Sequence, residues 1–162
     1  MVSYKDSDII PLKEFEFAWR ITDPRWAALP NAALDRIRPL SGARSRELYA
    51  VSPLSRPLRC PPDVGQLSIT KELSLEGSGA SDNAECDRWF RELPIGPTQQ
   101  VYVCWGNGGG VAVVTDWGTF TEVWDDLWYP FDWMCVLDDT LEWAVLFGPG
   151  EIVRFAEKSG NE

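Results

Sequence analysis

The most regular pattern of apolar and polar positions lies in the last third of the chain. Val101–Trp105 and Val111–Thr115 are runs of β-branched and aromatic residues separated by Gly106-Asn107-Gly108-Gly109-Gly110, which predicts two antiparallel strands joined by a glycine hairpin. The period then changes. Phe120, Trp124, Leu127 and Trp128 recur at helical spacing between Gly118 and Pro130 and define one amphipathic helix. Trp133–Leu137 and Trp143–Phe147 predict two further strands around an Asp138-Asp139-Thr140 turn. Gly148-Pro149-Gly150 turns the chain into a last strand, Ile152–Phe155.

The first two thirds are more mixed. Phe15, Phe17, Trp19 and Ile21 alternate with Glu14, Glu16, Ala18 and Arg20, the pattern of a half-buried strand, although Leu12, Phe15 and Trp19 also suit a helix. Leu34 and Ile37 give Pro30–Leu40 a helical spacing that Pro39 closes. Ser41 is placed to cap a helix through Tyr49, ended by Ser52-Pro53, and prolines 53, 57, 61 and 62 then predict an extended loop. Leu67, Ile69, Leu73 and Leu75 outline a weak or irregular edge strand, and Glu76 to Asn83 is a Gly/Ser-rich loop. Asp82, with Glu85 three residues on, resembles the opening of a capped helix through Leu93 with Trp89 and Phe90 inward, terminated by Pro94 and Pro97. This order of elements predicts an α+β fold, an antiparallel β-sheet with helices packed on one side, as a single domain over 1–162.

Composition narrows the chemistry. With 162 residues, 44% hydrophobic and 25% charged, the chain has the balance of a globular domain able to bury a core. No apolar run approaches the roughly 20 residues that span a bilayer. The Met1–Leu12 segment carries acids where a signal peptide would have a basic start, so a cytoplasmic location is expected. Cys60, Cys86, Cys104 and Cys135 contain no C-x-x-C pair and are expected to be free structural thiols. Histidine is absent, which removes the commonest general base, the commonest metal ligand and the Ser-His and Cys-His pairs together. Asp, Glu, Lys or Tyr could still move protons, so an Asp/Glu-dependent hydrolase stays open as an alternative.

The net charge of −10 is unevenly spread. Residues 1–60 carry ten basic against seven acidic side chains, a balance of +3; residues 61–100 stand at −4 and residues 101–162 at −9. No basic side chain occurs between Arg91 and Arg154. A field of one sign repels nucleic acid and anionic membrane and attracts basic partners.

Several motifs that look chemical have simpler readings. The glycine-rich loop leads into Val111-Ala112-Val113-Val114 rather than a helix and has no lysine near it, so a hairpin is preferred to a phosphate cradle. Asp138-Asp139 falls at a turn, where Asp is favoured for local hydrogen bonds, and Asp125-Asp126 on the polar side of the predicted helix; neither has the spacing of a calcium loop. No metal and no cofactor are expected. Of tryptophans 105, 117, 124, 128, 133 and 143, four are expected in the core. Trp128-Tyr129-Pro130-Phe131 beside Asp125, Asp126 and Asp132 has instead the composition of an interface anchor. The candidate partner-binding residues are therefore Asp125, Asp126, Trp128, Tyr129 and Asp132. A sugar platform would use the same aromatics, which keeps a small-molecule or carbohydrate-binding domain as a second reading.

Val111–Thr115, Trp117-Gly118-Thr119-Phe120, Trp124 through Pro130 and the strand pair around Asp138 and Trp143 together resemble small cytoplasmic bacterial proteins of the immunity kind. Ile10-Pro11-Leu12 through Trp19, followed by Ile37-Arg38-Pro39-Leu40-Ser41, is similar to the opening of one such family. The resemblance implies a non-enzymatic inhibitor that covers the active surface of a cognate toxin, and it carries no site residues with it. The charge and aromatic pattern adds the expectation of a basic toxin domain as partner.

Overall fold

The computed structural model describes residues 3–56, 59, 61–75, 81–106, 110–129 and 132–159. Short 3₁₀ turns at Asp6–Asp8 and Leu12–Glu14 lead to α1 (Ala18–Thr22), α2 (Asn31–Leu34), β1 (Arg38–Pro39) and α3 (Gly42–Val51). A 3₁₀ turn at Pro53–Ser55 precedes β2 (Leu67–Ser74) and α4 (Ser81–Arg91). The remainder is β3 (Gln100–Trp105), β4 (Ala112–Asp116), α5 (Trp117–Leu127), β5 (Met134–Leu137), β6 (Trp143–Gly148) and β7 (Ile152–Lys158).

All seven strands form one antiparallel sheet in the order β1-β4-β3-β5-β6-β7-β2. The β3–β4 pairing runs from Gln100↔Asp116 to Cys104↔Ala112, the antiparallel arrangement expected of the glycine-linked pair; Asn107–Gly109 themselves lie outside the described residues. The two outermost strands are built for an edge. β1 contains Pro39, which has no amide to donate to a ladder, and β2 is interrupted by a bulge between Ile69 and Lys71.

Side chains alternate between two apolar layers. Val101, Val103, Trp105, Val113, Val136, Val145, Phe147 and Phe155 face a large core completed by Phe90 of α4 and Phe120, Trp124 and Leu127 of α5. Tyr102, Cys104, Val114, Cys135, Leu137 and Leu146 face the opposite way and are covered by Leu40, Leu48 and Leu54. The α+β class and the antiparallel sheet are as expected. The expectation of helices on one side describes α4 and α5, and it widens here because α3 and the turn after it cover the second face. The physical reason lies in the strands: β3, β5 and β6 are almost wholly buried, and a strand that is apolar at every position must be covered twice.

Local signals explain most boundaries. Ser41 Oγ accepts from the Arg44 amide at 3.3 Å and starts α3, while Ser52 Oγ, beyond its other end, accepts from the Leu54 amide. Helix α5 begins at Trp117, just ahead of the Gly118 bound expected, because the Asp116 carboxylate accepts from both the amide and the hydroxyl of Thr119 at 2.8 Å. The Asp82 cap expected for α4 lies outside the described side chains, although Trp89 and Phe90 are buried as expected. Leu34 and Ile37 do not share a long helix: α2 is a single turn and Pro39 enters the sheet.

The strand expected over Phe15–Ile21 does not form. Phe15 and Phe17 alternate inward and pack on Trp105 at 6.1 and 5.6 Å, but the next residues coil into α1, which turns Trp19 outward and Arg20 inward.

Candidate functional site

The C-terminal end of α5 is held by a strand. The Trp105 indole N–H donates to the Leu127 carbonyl at 2.9 Å, satisfying one of the acceptors a helix end leaves open. The chain then becomes extended at Trp128 (φ −99°, ψ 133°) and delivers Tyr129 and Asp132 towards α1. Pro130 and Phe131 lie outside the described residues.

The five residues expected to make a contact separate into three environments. Trp128 belongs to the core. It is 7% exposed, stacks near Trp124 with centroids 6.3 Å apart, touches Phe147 at 5.4 Å and donates its indole N–H to the Asp132 carbonyl at 3.1 Å. Four of the six clustered tryptophans are buried, Trp105, Trp117, Trp124 and Trp128, so Trp128 cannot act as a surface anchor. Asp125 is exposed on α5. Asp126 is partly buried, and that burial, reinforced by the neighbouring Asp125 charge, raises its carboxyl above the ordinary value.

Tyr129 and Asp132 join residues from the first quarter of the chain. Tyr129 stands 6.5 Å from Trp19 and 6.0 Å from Trp26, and these two tryptophans are 5.2 Å apart. Trp26 is 56% exposed and Trp19 40%, which makes them, with Val51, the exposed large apolar side chains among the described residues. Beneath them lies Arg20, 7% exposed, with its guanidinium carbon 4.0 Å from the Phe17 ring, 4.8 Å from Tyr129 and 5.4 Å from Trp19. Its Nη2 donates to Asp132 Oδ2 at 2.8 Å, whereas Nε and Nη1 are buried without a hydrogen-bond acceptor among the described residues. A buried cation this poorly supplied with acceptors is compensated by the electron-rich ring faces around it and by one carboxylate.

The arrangement is an aromatic cage filled from within by the chain's own arginine. It braces Trp19 and Tyr129 against α5 and leaves their outer surfaces, with Trp26, facing solvent. Sequence reasoning missed Trp19, Trp26 and Arg20. The available signal was Trp26 itself, a large apolar residue in the Pro24–Pro30 loop with no periodic partner.

The acidic stretch also changes character in three dimensions. Arg20 pairs with Asp132, Arg36 with Glu122 at 3.1 Å and Lys158 with Glu142 at 3.5 Å. Basic side chains missing from the local sequence thus arrive from elsewhere, and the one-sign field read along the chain is partly neutralised. Asp138 is a turn organiser: it accepts from the amides of Thr140 and Leu141, the Thr140 hydroxyl and the Gln99 side-chain amide at 2.8–3.2 Å. Among the described residues no three His, Cys, Asp or Glu side chains are grouped to hold a metal ion, and no helix is long and apolar enough to cross a membrane. No protein-family model, curated protein or solved structure matches the chain.

Proposed function

We propose that the protein is a non-enzymatic protein-binding module whose contact surface is centred on Trp19, Trp26 and Tyr129 and flanked by the carboxylates of α5, and that it serves as an immunity-type inhibitor of a basic toxin domain. The observation that carries this reading is the exposure of two adjacent tryptophans packed on Tyr129, itself backed by the buried Arg20 guanidinium. Exposed indoles held in place bring a large contact area to an interface at little further entropic cost, and Trp and Tyr dominate binding energies at such centres. Asp125 and Asp126 supply negative charge nearby on the chain, which favours a basic partner by steering its approach. Steric blockade needs no reacting group, in keeping with a chain that lacks histidine.

The ring geometry supports a protein partner over a sugar. Trp19, Trp26 and Tyr129 are inclined to one another by 54–69°, so they present a faceted surface rather than one flat stacking plane.

The test is capture of partners from the native host on immobilised wild-type protein and on a Trp26→Ala variant, with mass-spectrometric identification. A basic toxin domain retained by the wild type and lost by the variant is the expected result. Retention of the same partner by both proteins, with the variant folded, overturns the assignment of the surface.

A further inference from the structure

Strand β1 pairs with β4 only through Arg38↔Val114 and Pro39↔Val113, so Thr115 and Asp116 run on past the end of that ladder. Beside them lies a groove of about 430 Å³. Asp35, Arg36 and Arg38, from the turn into β1, form one wall, and Gln100, Thr115 and Asp116 of β3 and β4 form the other. The volume lies within the range of small-molecule sites. Every described residue of the lining is polar, and none belongs to the contact surface of Trp19, Trp26, Tyr129, Asp125 and Asp126.

The four charges in this groove are not equally available. Arg36 is already engaged: its Nε donates to the Ala32 carbonyl and its Nη2 to Glu122, both at 3.1 Å. The Asp116 carboxylate accepts from the amide and hydroxyl of Thr119 as the cap of α5. Asp35 and Arg38 remain. Both are exposed, and neither side chain makes a hydrogen bond or ion pair among the described residues. The Arg38 guanidinium lies 5.1 Å from the Tyr4 ring, a contact that leaves its N–H groups without acceptors. Opposite charges that line one groove without meeting each other are set for a ligand that carries both. A simple anion meets Asp35 as well as Arg38, a simple cation meets Arg38 as well as Asp35, and each repulsion offsets an attraction. Thr115 supplies a second, independent observation. It is 3% exposed and its Oγ1 has no hydrogen-bond partner among the described residues, a deficit that destabilises the empty protein and that a polar ligand relieves.

We infer that this groove binds a free α-amino acid with an uncharged polar side chain. The carboxylate sits on the Arg38 guanidinium, the ammonium on the Asp35 carboxylate, and the side chain points towards Gln100 and Thr115. Gln100 donates its amide to the Tyr102 hydroxyl at 3.3 Å, which leaves its carbonyl oxygen for the ligand. The site is independent of the protein-binding surface proposed above, and either can fail without the other.

The experiment is a titration of the intact protein with L-glutamine, L-glutaminamide and N-acetyl-L-glutamine, a zwitterion, a cation and an anion built on one body. Binding is followed in ¹H–¹⁵N spectra at the backbone amides of Arg38 and Thr115 and at the Gln100 side-chain amide, the last assigned through Gln100→Glu. Saturable shifts at these positions are expected with glutamine, with affinity weaker by about tenfold or more for each of the other two. Arg38→Gln and Asp35→Asn, both at exposed positions, should each weaken glutamine by about tenfold while distant resonances keep their positions. Thr115→Val should raise the denaturant midpoint of the free protein and yet weaken glutamine, a pair of opposite signs that a purely structural hydroxyl does not produce. Equal affinity for the three compounds, no saturable shift at Arg38, Thr115 and Gln100, or unchanged affinity in both charge variants each overturn the inference.

Discussion

Truncating Trp128 to alanine removes an indole that is 7% exposed, packed on Trp124 and Phe147 and hydrogen-bonded to the Asp132 carbonyl. A buried tryptophan withdraws on the order of 200 Å² from water, worth roughly 5 kcal/mol at about 25 cal/mol per Å². Unfolded chains already bury part of that area, which lowers the figure, whereas the cavity left between α5 and the sheet and the stranded carbonyl raise it. The expected loss is about 4 kcal/mol, a fall in melting temperature of roughly 8–16 °C for a chain of this size. Trp26→Ala removes a ring of the same kind that is 56% exposed and lies in a loop, and should cost only about 1 kcal/mol. Guanidinium unfolding of both variants, followed by circular dichroism with the slopes compared, measures the two losses directly. A loss below about 1 kcal/mol for Trp128→Ala, or an equal loss for Trp26→Ala, would refute the division into core and surface made above.

Three other outcomes follow from particular contacts. Because burial and the Asp125 charge disfavour ionisation of Asp126, the folded chain holds that proton more tightly than the unfolded one, so its contribution to stability falls as pH rises above the ordinary value of 3.8 through the raised one. Asp126→Asn should therefore be more stable than wild type at pH 7, with the advantage shrinking as pH is lowered and absent below 3.8; denaturant titrations showing the opposite sign contradict this. Burial pushes the Cys104 thiol up to about 12 and Cys135 well above its ordinary value, so maleimide should label Cys86, Cys104 and Cys135 only when the protein unfolds, and peptide mass spectra showing labelling in native buffer count against the packing. A Cβ added at Gly148 would stand 2.7 Å from the Trp133 ring, so Gly148→Ala should destabilise by about 1–3 kcal/mol, and Trp133→Ala in the same chain should remove most of that increment.

Elements set by local chemistry are legible in the sequence. Ser41 capping α3, the β-branched runs of β3 and β4 and the Asp138 turn each depend on residues within a few positions. The two-faced burial of the sheet had a local signal as well, since Val101–Trp105 and Ala144–Phe147 contain no polar alternation. What resists reading depends on distant partners. Trp19 and Ile21 occupy equivalent places in the alternation of that segment, yet Ile21 is buried and Trp19 exposed because α1 rotates one inward and the other out. Trp128 and Tyr129 are neighbours of similar composition; only the position of Phe147 on β6 and of Trp26 in a loop about a hundred residues earlier decides which is core and which is surface. Charge behaves in the same way. Arg20 lies 112 residues from Asp132 and Arg36 lies 86 from Glu122, so a window along the chain registers the acids without their partners.

The central claim, that braced exposed aromatics form the contact, is tested most directly by surface-binding kinetics of the captured partner against wild type, Trp26→Ala and the Asp125→Lys, Asp126→Lys double variant at several salt concentrations. A central aromatic acts on complex lifetime, so Trp26→Ala should speed dissociation by roughly 30-fold, equivalent to about 2 kcal/mol, at an unchanged association rate. The charge reversals should slow association and flatten its salt dependence while leaving dissociation nearly unchanged. Unaltered kinetics in both variants, with circular dichroism showing them folded, would contradict the account and move the interface away from Trp19, Trp26 and Tyr129.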